Sequence, residues 1–198
     1  MPADHRTLCR MAAHSYDAAT GGVNDVEYLV KYEPDHTVVS FRGTEFSGFI
    51  SQRGVLDVIR DIRIVPWYDK RTGWAHAGFL KGARGVVDGP LMDYLCPSTP
   101  ITLTGHSLGA GVSFLAALML HSEGFTIKEW VGFGCPRPII GKRDLPFLAT
   151  SYRNHGDPVT QVPRKWMFGY SHPVELSNIG LISGHDIGLY IDALLQVR

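Results

Sequence analysis

Ile101-Thr102-Leu103-Thr104-Gly105-His106-Ser107-Leu108-Gly109-Ala110-Gly111 is the stretch on which the reading of this chain turns. An apolar, β-branched run meets Gly-x-Ser-x-Gly and continues into amphipathic helical spacing over Leu108–His121. A Ser on a sharp strand-to-helix turn is held in strained backbone geometry with its hydroxyl exposed. Gly105, Gly109 and Gly111 let strand and helix approach without Cβ clashes. The following helix brings its dipole and free amides to the place where charge would develop on a bound carbonyl oxygen, with Leu108 N–H as the first donor. A plainer reading, a Ser capping a helix in a Gly-rich turn, uses the same residues. The preceding strand and following helix weigh against it.

Working outward, short β-branched runs bounded by Gly, Pro, Asp or Asn predict strands at Val26–Tyr32, Thr37–Phe41, Ile101–Thr104, Trp130–Phe133 and Ser151–Asn154. Helical periodicity predicts helices over Thr7–Asp17, Phe79–Leu95, Leu108–His121, Lys142–Ala149 and Asp186–Val197, the second of them weakened by Gly82, Gly85, Gly89 and Pro90. Strands alternating with helices imply a mostly parallel central sheet with helices on both faces. The 198 residues contain no repeat and no Gly/Pro-rich linker, so a single domain over residues 1–198 is expected.

Hydrophobic residues make up 44% of the chain and charged residues 19%, which is globular composition rather than that of a disordered segment. Nineteen basic residues balance nineteen acidic ones, so no net field draws the chain to nucleic acid, and neutrality also argues against a dedicated binder of anionic lipid surfaces. Cys9, Cys96 and Cys135 are odd in number and far apart, which signals neither a disulfide framework nor a zinc cluster. The start, MPADHRTLCRMAAHSYD, has no apolar segment of signal-peptide length, and no run approaches a membrane span. The expectation is a cytoplasmic protein unless an export signal was removed, with no stable membrane insertion.

The phrase TGHSLGAG at 104–111 resembles the nucleophile elbow of the class 3 lipases, the fungal-lipase-like branch that also includes feruloyl esterases and some phospholipases. Four further segments are similar to the family's motifs in the same order. Val38-Val39-Ser40-Phe41-Arg42-Gly43-Thr44 looks like its strand ending in Phe-Arg-Gly-Ser/Thr. Asp57–Pro66, with Asp61, resembles its amphipathic return segment. His76-Ala77-Gly78-Phe79 is similar to its His-x-Gly-Phe helix opening, and Gly134-Cys135-Pro136-Arg137 to its Gly-x-Pro-Arg. The resemblance runs from about Val26 to the C-terminal helix and implies an α/β-hydrolase fold. It also implies that Thr44 is the second oxyanion-hole donor beside Leu108, and that Glu45–Arg60, carrying Phe46, Phe49, Ile50, Val55 and Leu56, is a short lid. An ordinary surface helix is the competing reading of that segment. Tyr170-Ser171-His172-Pro173-Val174-Glu175 keeps the family's Tyr-x-His-x-Gly pattern only in part, and the fungal disulfide pairs are missing.

A Ser hydroxyl needs a neighbouring imidazole to take its proton and a carboxylate to fix that imidazole's tautomer. The chain order in this fold is Ser, acid, His. After Ser107 the best acid is Asp157, in Asn154-His155-Gly156-Asp157-Pro158-Val159, which also reads as a turn and matches the family's Asp-x-Val followed by Pro163. Asp144, in a predicted helix, and Asp186, adjacent to the best His, rank behind it. His185 precedes the last helix and is the expected base; His172, on a predicted strand, is second. His106 and His76 are given no proton-transfer role, His76 being expected to pack or hydrogen-bond beneath the site.

Together these readings point to a carboxylic ester hydrolase, lipase or esterase, working through an acyl-enzyme with Ser107, His185 and Asp157. The partner is then a small-molecule or lipid ester, met through transient lipid-interface contact, with no nucleic acid, metal or organic cofactor. The alternatives are a non-catalytic binding module of the same fold, a phospholipase or feruloyl-esterase specificity, and acyl transfer or thioester hydrolysis at the same nucleophile.

Overall fold

Successive residues of a strand face opposite sides of its sheet, and this chain uses both sides. In the computed structural model, which describes residues 4–23, 25–43 and 64–196, Val39 and Trp130 point into one apolar cluster while their neighbours Val38 and Val131 point into another. The sheet that separates the two clusters has the order β1-β2-β3-β6-β7-β9-β11. Its strands are β1 (Gly21–Val23), β2 (Val26–Tyr32), β3 (Thr37–Phe41), β6 (Ile101–His106), β7 (Ile127–Phe133), β9 (Leu148–Asn154) and β11 (Leu176–Ile179). From β3 onward every pairing is parallel; β1 and β2 pair antiparallel at one edge. Helices α2 (Ala77–Val87) and α3 (Leu108–Ser122) supply the larger cluster, and α1 (His5–His14) and α4 (Ile187–Gln196) the smaller. This is the α/β-hydrolase fold, as the elbow sequence leads one to expect.

Three features depart from the sequence reading. Helix α3 is not amphipathic: every residue from Gly109 to Leu120 is buried, because it lies between the sheet and α2. No helix forms over Lys142–Ala149, and Asp144 sits on irregular backbone. Pro146 removes a donor there and drives Leu145 away from helical dihedrals, so the chain turns and enters β9 at Leu148. The expected helix over Phe79–Leu95 begins two residues earlier and breaks before Gly89-Pro90, leaving a short 3₁₀ turn at Pro90–Tyr94.

A small antiparallel sheet of order β10-β8-β5-β4 lies apart from the main one. It comprises β4 (Pro66–Asp69), β5 (Gly73–His76), β8 (Ile139–Ile140) and β10 (Tyr170–Ser171). His172 thus follows a two-residue strand. Thr44, the Glu45–Arg60 segment and Asp61 lie outside the described residues. Cys9, Cys96 and Cys135 are free thiols, the first and last buried.

Two buried polar groups tie elements together. Trp130 Nε1–H donates to Ser113 Oγ (2.9 Å), and that hydroxyl donates to the Ala110 carbonyl (3.0 Å), joining β7 to α3 inside the core. His76 caps α2: its Nδ1 accepts from Gly78 N–H (3.2 Å) and its ring stacks on Phe79 at 4.3 Å. Burial lowers His76 to about 4, so it is neutral at ordinary pH.

Two expectations follow for stability. Ser113→Ala leaves the Trp130 N–H unpaired in the core and should cost about 1–3 kcal/mol in urea unfolding. His76 is depressed from 6.5 to about 4, so above pH 6.5 it is neutral in both folded and unfolded chains. Between there and pH 4 only the unfolded chain takes up the proton, and stability falls with pH by up to about 1.4 kcal/mol per pH unit for this residue. His76→Asn keeps an acceptor for Gly78 N–H without the titration; its stability should vary less steeply than wild type across that range, and an unchanged slope would remove His76 from the account.

Candidate active site

Ser107 joins β6 to α3 at φ 58° and ψ −129°, a left-handed conformation that side chains of L-residues seldom adopt. The turn is tight enough that a Cβ on Gly109 would lie 2.3 Å from the Phe41 carbonyl oxygen, and one on Gly105 would lie 2.6 Å from Gly109 backbone. These contacts are with backbone, which cannot swing aside, so glycine is required at both positions. Ser107 N–H donates to the Phe133 carbonyl (3.0 Å), fixing the elbow against the end of β7. Leu108 is the first residue of α3, so its N–H has no partner within the helix.

Asp157 and His185 meet at the same end of the sheet. Asp157 follows β9, His185 precedes α4, and His185 Nδ1–H donates to Asp157 Oδ2 (2.8 Å). Both are buried, Asp157 completely. Gly134 supplies the space for the pair: at φ +60°, immediately after β7, its hydrogen lies where a Cβ would come within 3.0 Å of both side chains. Ser107 is bonded to the residue preceding Gly134, so the elbow and the His–Asp pair close on one point of the backbone. With Nδ1 committed to Asp157, His185 Nε2 is buried with no hydrogen-bond partner among the described residues.

Several supporting groups were not legible from sequence. Asp157 Oδ2 also accepts from the Tyr190 hydroxyl (2.5 Å), and Oδ1 accepts from Val159 N–H (2.8 Å). Burial and the facing carboxylate both push the Tyr190 phenol upward, which keeps it protonated as a donor. Periodicity marks Tyr190 only as a core-facing residue of the last helix. His106, whose position within the elbow suggests no role, stacks on the His185 ring at 4.5 Å. Its Nε2–H donates to the His185 carbonyl (2.8 Å), and its Nδ1 accepts from the Tyr16 hydroxyl (2.9 Å). Burial, and then the proximity of His185, hold His106 well below the ordinary imidazole range, so it stays neutral in this relay. Asn154 Nδ2–H donates to the carbonyls of Ile182 (2.8 Å) and Gly184 (3.3 Å), clamping the loop that carries His185.

The remaining candidates are elsewhere. His172 Nε2–H donates to the Thr160 carbonyl (2.8 Å), away from Asp157, and burial lowers it to about 4. Asp186 accepts from Gly188 N–H (2.8 Å) at the start of α4. For Thr44 only its predecessor can be described: a Cβ on Gly43 would lie 3.0 Å from the His106 carbonyl oxygen, so the chain leaving β3 runs directly beside the elbow.

The model of the family Lipase (class 3) matches residues 38–166, about two thirds of the chain. Solved structures with the same fold include the Lip2 lipase of Yarrowia lipolytica, 20% identical, with a TM-score of 0.62 over 89% of this chain and 78% of that one. The triacylglyceride lipase of Rhizomucor miehei is 21% identical, with a TM-score of 0.65 over 88% and 79%. The lipase of Rhizopus microsporus var. chinensis is 22% identical, with a TM-score of 0.64 over 88% and 73%. A comparison with curated protein sequences gave no match. At these identities the structural likeness is one of fold, whereas the family match covers the strand before the oxyanion position, the elbow and the Asp157 loop. The chain belongs to the class 3 lipase family, whose members are lipases and ester hydrolases.

Proposed function

We propose that the chain hydrolyses carboxylic esters of lipids through Ser107, His185 and Asp157. Ser107 Oγ attacks the ester carbonyl while His185 Nε2 takes its proton, and Asp157 holds the imidazole in the tautomer that leaves Nε2 bare. The alkoxide departs with the proton that His185 returns. Water then attacks the acyl-enzyme with His185 again as base, releasing the acid and restoring Ser107. The developing oxyanion is held by Leu108 N–H at the start of α3 and by Thr44, which follows Gly43 beside the elbow. The observation that carries this reading is the buried 2.8 Å bond from His185 to Asp157, closing beside a Ser held at φ 58° on a strand-to-helix turn. A non-catalytic module gains nothing from that strained Ser or from an unpaired imidazole nitrogen.

The test is hydrolysis of p-nitrophenyl esters from acetate to palmitate, together with fluorophosphonate labelling. Wild type should cleave and label, Ser107→Ala should do neither, and the chain-length optimum separates esterase from lipase. Asp157→Asn should keep its fold yet lose about 10⁴ in kcat. Thr44→Ala should lose about 10²–10³ in kcat if its hydroxyl holds the oxyanion, and almost nothing if its backbone N–H alone does. A folded wild type that neither cleaves nor labels makes the binding-module reading the correct one.

A further inference from the structure

The even charge balance of the whole chain hides a segregated surface. Two clefts of about 420 and 690 Å³ share Arg137 and Lys165 in their walls. Arg164 lines the first, and Lys142 and Arg143 line the second; the one carboxylate lining either cleft is Glu175. Among the described residues, none of these five cations is within salt-bridge distance of an acid. Arg137 has a structural task, since its guanidinium donates to the carbonyls of Gln161 and Pro163 and fastens the 161–163 loop. Lys142, Arg164 and Lys165 are exposed, and Arg143 is half-buried against Gly73.

Next to this basic surface the chain exposes large apolar groups. Arg164-Lys165-Trp166-Met167-Phe168 forms a turn, closed by Met167 N–H donating to the Arg164 carbonyl (2.9 Å). Trp166 is 79% and Phe168 60% exposed, and Phe168 sits at φ 56°, a conformation that is strained for so bulky a residue. This segment follows the loop that carries Asp157. Aromatic side chains at headgroup depth, flanked by cations that meet lipid phosphates, are the chemistry of a membrane-interface segment. Ile64, Val162 and Met167 line the first cleft together with its cations, and an aliphatic lining gains from a bilayer and gains little from a nucleic acid or another polyanion.

We propose that this face docks on anionic phospholipid bilayers. Trp166 and Phe168 enter the headgroup region, and Lys142, Arg143, Arg164 and Lys165 lie over the phosphates. The proposal extends the ester-hydrolase reading by naming where substrate is met, and its binding test does not depend on catalysis.

The experiment is co-sedimentation with phosphatidylcholine vesicles and with two-to-one phosphatidylcholine–phosphatidylglycerol vesicles, at low and physiological salt. Wild type should bind the mixed vesicles at least about tenfold more tightly, with a blue shift of tryptophan emission that Trp166→Phe largely removes. Arg164→Glu/Lys165→Glu should lose more than about tenfold on mixed vesicles. Trp166→Ala/Phe168→Ala should lose a comparable factor, with melting temperature and soluble-ester hydrolysis unchanged. Equal binding to neutral and mixed vesicles overturns the proposal. So does binding lost with the charges but kept without Trp166 and Phe168, which describes a general polyanion patch. A wild type inactive on soluble esters counts against the hydrolase reading alone, since vesicle binding is read independently.

Discussion

The backbone of Ser107 is the constraint on which the site depends. A residue held at φ 58° and ψ −129° costs on the order of 1–3 kcal/mol and persists only where its surroundings leave no alternative. Here β6 is paired on both sides, to β3 and β7, and α3 is buried from Gly109 to Leu120, so neither element can move to relieve the turn. The hydrophobic burial of a helix apolar on all sides offsets the strain of one residue. In return, the hydroxyl, the first amides of the helix and the ends of β3 and β7 converge.

A second layer of the design is polar and buried. A carboxylate removed from water is costly unless its lone pairs are filled, and Asp157 receives His185, Tyr190 and the Val159 amide. His185 is held from two further directions, by the His106 ring stacked on it and by the bond from that ring to its carbonyl. The relay begins at Tyr16, just beyond α1, passes through the elbow and ends at the loop before α4. Helices α1 and α4, neighbours on the same face of the sheet, therefore both support the imidazole, although neither carries Ser107.

Surface chemistry cannot be inferred from totals. Nineteen charges of each sign average to zero, yet Lys142, Arg143, Arg164 and Lys165 line two adjoining clefts beside Trp166, while acids such as Asp69 and Asp88 pair with Arg71 elsewhere. Neutrality argues against attraction to an anionic surface only when charge is evenly spread, and folding removes that condition.

By itself the sequence determined whatever is encoded locally. Gly-x-Ser-x-Gly between a β-branched run and a helical one specifies the elbow, because only glycine fits where Cβ atoms would strike backbone. The run of short strands and helices specifies a parallel sheet with two covered faces. Chain order then singled out Asp157 and His185 from the other acids and histidines. Tertiary structure decided what depends on long-range contact. The spacing of α3 could not show that both its faces are buried. Tyr16, His106, Asn154 and Tyr190 acquired roles only when elements distant in sequence came within hydrogen-bond reach. Periodicity records which side of an element is apolar, but the partner of a buried hydroxyl or imidazole is set by packing between elements, and packing leaves no local signature.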